Sequence, residues 1–160
     1  MRVLTFDPYV NPQRTHELGI EAVSRLDALL AASDFLSLHC PLTEETRGMI
    51  GARELRAMKP TAYLINTARA QIVEEAALVQ ALREGWIAGA ALDVFWSEPP
   101  PFDHPLLKMD NVILAPHIGS FTHEGVMRMS LGSVEQVLMV LRGEHPPNLV
   151  NAEVWERRKT

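Results

Sequence analysis

Short apolar runs punctuate the chain: Val3-Leu4-Thr5-Phe6, Phe35-Leu36-Ser37-Leu38, Ala62-Tyr63-Leu64-Ile65, Ala90-Ala91-Leu92 and Val112-Ile113-Leu114. Each ends at a polar or special residue, and their near-continuous apolar character predicts strands buried on both faces. Between them the pattern turns helical. A helix is expected over 26–32 after Ser24, with Asp27 in a capping-box-like position; another over 53–58, stopped by Pro60; and a third over 74–84, stopped by Gly85. Strand and helix alternate, which predicts a parallel sheet covered by helices with right-handed crossovers. A longer helix is expected over 122–142. There Met127, Leu131, Val134, Leu138 and Leu141 recur at steps of four and three and form one apolar stripe. We expect this stripe to pack against its own domain rather than form a seam with another subunit, with Met127, Met129 and Met139 as core filling. After Gly143, the segment Glu144-His145-Pro146-Pro147-Asn148 breaks the helix, so residues 144–160 read as a tail behind a domain of residues 1–143.

Composition narrows the class. With 160 residues, 47% of them hydrophobic, 22% charged and a formal net charge of -5 at pH 7, the chain is long enough for one domain with a real core. Basic residues are scattered, which argues against a nucleic-acid partner; the terminal Arg157-Arg158-Lys159 reads as a solvated tail. The single cysteine, Cys40, excludes an intrachain disulfide and a multi-cysteine zinc site, and suits a reducing compartment. Arg2, Asp7 and Pro8 interrupt the N-terminus, and no apolar run approaches membrane-spanning length. A cytoplasmic protein with no membrane partner is therefore expected.

Asp7 stands where an apolar run ends. In dinucleotide-binding βαβ units an acidic residue at that place bonds the adenosine ribose hydroxyls, about 20 residues after a glycine loop that cradles the pyrophosphate. Counting back from Asp7 passes Met1, and no G-x-G-x-x-G occurs anywhere in the sequence. A carboxylate at this position accepts bonds from a free ribose and repels a 2′-phosphate, which favours NAD over NADP.

Chemistry concentrates in three segments: Ile65-Asn66-Thr67-Ala68-Arg69, Leu92-Asp93-Val94-Phe95-Trp96-Ser97-Glu98-Pro99 and Ala115-Pro116-His117-Ile118-Gly119-Ser120. Each puts titratable residues directly after an expected strand. Ligands of open parallel sheets sit beyond the strands' carboxyl ends, so Arg69, Asp93, Glu98 and His117 are expected to converge. Arginine grips a carboxylate bidentately, histidine exchanges a proton near neutral pH, and a carboxylate beside it orients the ring. That set suits hydride transfer to or from a 2-oxo acid.

These segments, with Leu38-His39-Cys40-Pro41-Leu42-Thr43 before them, resemble the NAD-domain motifs of the D-isomer-specific 2-hydroxyacid dehydrogenases, a family that includes glyoxylate/hydroxypyruvate reductases and phosphoglycerate dehydrogenases. The resemblance covers nearly the whole chain. It implies catalytic roles for Arg69, Glu98 and His117, and a hold on the nicotinamide carboxamide for Asp93. It further implies cofactor contacts at Asp7, Pro41, Thr46, Thr67, Ala68, Arg69, His117 and Gly119, with NAD as cofactor and a small 2-oxo or 2-hydroxy acid as substrate. The implied fold is an incomplete Rossmann-type, doubly wound parallel sheet. Its first strand, glycine loop and first helix, and a separate N-terminal substrate domain, would lie outside this chain. A complete protein would be a homodimer, whereas the truncated chain would bind NAD poorly and turn over little. The alternative is a non-catalytic, corepressor-like protein that reuses the fold for association. Formate dehydrogenase is disfavoured, because a glutamine is expected there in place of Glu98.

The sequence departs from the family pattern at Ala70, where a glycine is usual, at Gln71, and at Phe121, where a small residue is common. His16, His39, His104, His123 and His145 lack motif support and are read as structural or solvent-facing. His117, His123 and Glu124 do not have the spacing of a zinc helix, so no metal is expected. Trp86 and Trp96 are assigned to packing.

Overall fold

The computed structural model describes residues 1–157, which fall into a first unit, Met1–His117, and a second that begins at Ile118. The first unit runs β1 (Leu4–Thr5), α1 (Pro12–Glu17), β2 (Glu21–Ala22), α2 (Leu26–Ala32), β3 (Phe35–Leu38), α3 (Ala52–Ala57), β4 (Tyr63–Asn66), α4 (Glu75–Glu84), β5 (Gly89–Leu92) and β6 (Val112–Leu114). Every strand pairing among the described residues is parallel: β1 with β2 in a two-stranded sheet, and β3-β4-β5-β6 in a four-stranded one. This is a partial Rossmann-type α/β fold. The four strands finish level, with Leu38 opposite Asn66, Asn66 opposite Leu92, and Leu92 opposite Leu114. Whatever follows these strands therefore emerges along one rim.

The core lies on one face of the four-stranded sheet. Leu36, Leu38, Leu64, Ala90 and Leu92 point into it and meet Leu30 of α2, Leu55 of α3, and Leu78, Ala81 and Leu82 of α4 in one cluster. The expectation of strands buried on both faces is corrected here. Burial alternates along β3, and Phe35 (64% exposed), Tyr63 (45%) and Ile113 (74%) show apolar side chains on the opposite face. Phe35 and Tyr63 stack there, with centroids 5.6 Å apart and planes 15° from parallel. Apolar side chains on both sides of a strand are what a two-sided sheet requires, but their pattern does not say whether both sides are covered.

Local sequence explains most of the boundaries. Gly85 ends α4 in the left-handed conformation (φ 69), which costs glycine little. Gly89 opens β5 where a Cβ would stand 2.5 Å from the Asn111 carbonyl oxygen and 3.1 Å from the Tyr63 ring, so only a bare backbone fits. The Ser24 start expected for α2 gives way to Arg25 at the N-cap, with no side-chain cap bond; Asp27 instead pairs with the Arg25 guanidinium at 3.0 Å. One helix and one strand of the first unit had no counterpart among the expected ones. Helix α1 is capped by the Asn11 side chain, which accepts from the Arg14 N–H, and β2 is a two-residue exposed strand.

The second unit holds α5 (His123–Leu141), where the Thr122 hydroxyl accepts from the Gly125 N–H at 2.9 Å, and a short 3-10 segment at Ala152–Arg157. The apolar stripe, expected to be covered, is exposed: Met127, Leu131, Val134, Leu138 and Leu141 all show, as does Met129, and no residue of α5 is buried. Within this unit the segment after α5 covers little of the helix. It forms with Gln136, Val137, Val140 and Leu141 an open apolar groove of about 430 Å³. Among the described residues no helix is long and apolar enough to cross a membrane.

Candidate active site

Strand β6 delivers Ala115, Pro116 and His117 onto the rim. His117 has a φ of 56, the left-handed region that a non-glycine residue enters at a cost on the order of 1–3 kcal/mol. Its ring lies against the carboxylate of Glu98, with Nδ1 2.8 Å from Oε2, and both side chains are about half exposed. An ionised carboxylate only accepts, so Nδ1 carries the bonding hydrogen and Nε2 is the ring nitrogen left to exchange a proton. The other Glu98 oxygen, Oε1, accepts the Phe95 backbone N–H at 3.0 Å. The His117 bond, followed by the Phe95 N–H, holds the Glu98 carboxyl below its ordinary range. Desolvation opposes this, and the positive charges of His117 and Arg69 add to it.

Arg69 comes from the turn after β4. The turn is organised by Asn66, 1% exposed, whose amide donates to the Arg69 carbonyl at 2.9 Å and whose Oδ1 accepts the Ala68 N–H at 3.0 Å. Both ends of the amide are thus used to shape four residues. The Arg69 guanidinium folds back on the Ala68 carbonyl at 2.6 Å, while its charge reaches Glu98. Thr67 is exposed and Ala68 half-buried against the core. Ala70, the departure from the family pattern, is buried and opens a short 3-10 turn, Ala70–Ile72.

Asp93 follows β5 directly, is buried, and has its N–H bound to the Asn66 carbonyl at 3.0 Å. It lines a cavity of about 430 Å³ with Phe95, Glu98, Leu114, Pro116 and His117. Asp7 lies just past β1, where its Oδ1 accepts the Tyr9 N–H at 2.8 Å. Its charge is felt at Cys40, two residues beyond β3: burial pushes that thiol's pKa up, a backbone hydrogen bond opposes this, and Asp7 adds to the rise. Thr46 closes the loop after β3, donating from Oγ1 to the Pro41 carbonyl at 2.7 Å and accepting the Thr43 N–H at 2.8 Å. Gly119 belongs to the second unit, in a turn.

The sheet therefore gathers Arg69, Asp93, Glu98 and His117 on one rim. Sequence reasoning missed the groups that hold them: the Asn66 amide and the Phe95 N–H. Asn66 carried a signal, a polar residue closing an apolar run, but nothing in the sequence marked both of its bonds as local.

Among known proteins, the family model for "D-isomer specific 2-hydroxyacid dehydrogenase, NAD binding domain" matches residues 1–119. The chain is 54% identical over 158 residues to a glyoxylate reductase of Korarchaeum cryptofilum, an alignment covering 99% of this chain and 47% of that protein. A crystal structure of the TT0316 protein from Thermus thermophilus superposes with a TM-score of 0.85 at 43% identity, covering 94% of this chain and 46% of that one. The D-isomer specific 2-hydroxyacid dehydrogenase of Lactobacillus delbrueckii ssp. bulgaricus, in its NAD-complexed form, gives a TM-score of 0.83 at 34% identity, covering 94% and 49%. The chain spans about half the length of these relatives.

Proposed function

The chain belongs to the D-isomer specific 2-hydroxyacid dehydrogenases through their NAD-binding domain, and on that premise we propose that it carries the proton-handling and anion-binding residues of an oxidoreductase acting on a small 2-oxo or D-2-hydroxy acid. The observation that carries this reading is the 2.8 Å contact between His117 and Glu98, made on the same rim as Arg69. Glyoxylate is the substrate we favour, on the likeness to the Korarchaeum cryptofilum protein.

The residues present suit two ends of the dinucleotide. Asp7 offers a carboxylate where the adenosine ribose would bind, and Asp93, beside the cavity that Glu98 and His117 line, suits the nicotinamide carboxamide. Pro41, Thr46, Thr67, Ala68 and Gly119 are proposed as further contacts. NAD, when bound, supplies or accepts the hydride.

In the reductive direction the His117 Nε2–H gives its proton to the substrate's carbonyl oxygen, while Glu98 stabilises the charged ring and fixes its orientation. Arg69 leaves the Ala68 carbonyl to bind the substrate carboxylate bidentately and stabilises negative charge developing on the carbonyl oxygen. In the oxidative direction His117 Nε2 takes the hydroxyl proton. The sequence holds no G-x-G-x-x-G, so the chain alone is expected to bind NAD weakly and turn over little.

The test is NADH oxidation with glyoxylate by this chain joined to the N-terminal half of the Korarchaeum cryptofilum relative, beside the same protein carrying His117→Ala. Turnover that disappears in the variant supports the reading. Equal rates in both remove His117 from its role.

A further inference from the structure

Glu98 sits in the first third of the 93–111 connection between β5 and β6, and two ties fasten that connection to the start of α4. On one side of Glu98, the Trp96 indole N–H donates to the Val73 carbonyl at 3.0 Å. On the other, His104 Nε2 lies 3.0 Å from Glu75 Oε1. His104 is buried, at 8% exposure, and caps the 3-10 turn Pro105–Lys108, its Nδ1 accepting the Leu106 N–H at 3.2 Å. An amide N–H only donates, so Nδ1 must present its lone pair and the ring hydrogen of neutral His104 sits on Nε2, aimed at Glu75. The ring therefore has one orientation in which both nitrogens are satisfied. Phe95 meets it edge-on, with centroids 5.9 Å apart and planes at 89°. The Phe95 N–H is the donor that holds Glu98 Oε1. A continuous chain of contacts thus leads from Glu75 through His104 and Phe95 to Glu98 and His117.

We propose that His104, oriented by Glu75, is a positioning residue for the Glu98–His117 pair: it sets the loop so that the Phe95 N–H and the Glu98 carboxylate stay aligned with the catalytic imidazole. Its bearing on turnover rests on the function proposed above; the geometry it controls does not. An apolar side chain of similar volume fills the space, but it neither accepts the Leu106 N–H nor donates to Glu75.

The experiment follows the Glu98 side-chain carboxyl by NMR titration of the full chain with carboxyl-labelled glutamate, the signal assigned by its loss in Glu98→Gln. In the unaltered chain Glu98 is expected to titrate below the ordinary carboxylate range, where the His117 and Phe95 bonds hold it. His104→Ala moves the midpoint up toward that range, and Glu75→Gln, which keeps an acceptor for Nε2–H, leaves it in place. His104→Asn, which retains an acceptor for the Leu106 N–H but cannot reach Glu75, falls between. Should His104→Ala fail to fold, His104→Asn and Glu75→Ala decide the matter. A folded variant of either kind with Glu98 at its original midpoint overturns the proposal, because a merely space-filling histidine alters melting temperature without moving a carboxyl on the rim. The titration uses neither cofactor nor substrate. Absence of NADH oxidation in the joined protein therefore defeats the proposed function without touching this result, and an unmoved Glu98 defeats this inference alone.

Discussion

Glu98 and His117, 19 residues apart in sequence, share a 2.8 Å hydrogen bond in which the carboxylate accepts from Nδ1. The bond gives each partner a fixed part, since the carboxylate stays ionised and the imidazole keeps Nε2 for proton exchange. Replacing His117 by alanine is expected to lower kcat by roughly 10²–10⁴ in the joined protein, the range general acid–base groups supply. Glu98→Gln keeps an acceptor but no charge, so it is expected to slow reduction more at high pH than at low, where protonating the ring is easy. Rates of NADH oxidation across a pH series check both.

Because Glu98 is held below its ordinary pKa, the bond contributes fully above the unfolded carboxyl value and is lost only as pH falls through the lowered folded value. The Glu98 side-chain carboxyl signal in an NMR titration is expected to report loss of the pair on the acid side of the ordinary carboxylate range. Loss at or above that range contradicts the geometry.

Arg69→Lys tests the proposed bidentate grip on a carboxylate, which a lysine does not reproduce. It is expected to raise KM for the 2-oxo acid and to lower kcat by roughly 10²–10³, the scale of losing one charge-stabilising donor. Steady-state kinetics on the joined protein would show a role confined to packing as no change in KM.

Asn66→Ala removes both bonds of the β4 turn and strands the Ala68 N–H. A loss of about 1–3 kcal/mol in urea unfolding is expected. Asn66→Asp keeps the acceptor but sets a carboxylate against the Arg69 carbonyl, and is expected to be no better.

Glu54 tests the linkage at a buried site. Burial alone pushes its carboxyl up, but the Arg53 bond and the N–H groups of Glu54 and Gly51 outweigh it and hold the pKa below the ordinary value. Its stabilisation is present above the unfolded carboxyl pKa and fades as pH falls through the lowered folded one. Glu54→Ala is expected to cost about 1 kcal/mol at neutral pH, as the loss of a helix-start bond does, and less in acid. Urea midpoints at both pH values measure the difference.

Strands β3 and β6 were legible because short runs of apolar β-formers bounded by polar residues read as strands even where one face is open, and β4 and β5 were legible to within a residue at their ends. Helix α2 was also legible, and α4 ended at Gly85 as its conformation requires. Helix α1 and strand β2 were not, because they are short and exposed and leave no apolar period to read. The stripe on α5 was legible as a pattern, yet periodicity states which face is apolar and not what covers it. Arg69, Glu98 and His117 stood out through their motifs. Asn66 and His104 did not, since a buried polar group is defined by partners that only the folded chain supplies; for His104 the Glu75 partner lies 29 residues away.

The level row formed by Leu38, Asn66, Leu92 and Leu114 sets a rule for altering this protein. A residue inserted inside a strand inverts the sidedness of everything downstream in it and turns its reactive tip toward the wrong surface. Added length directly beyond the row moves Arg69, Asp93, Glu98 or His117 off the rim, because the bonds that set them begin at these positions. The row is thus a fixed datum on both sides: sidedness is set before it and the reach of each reactive side chain after it.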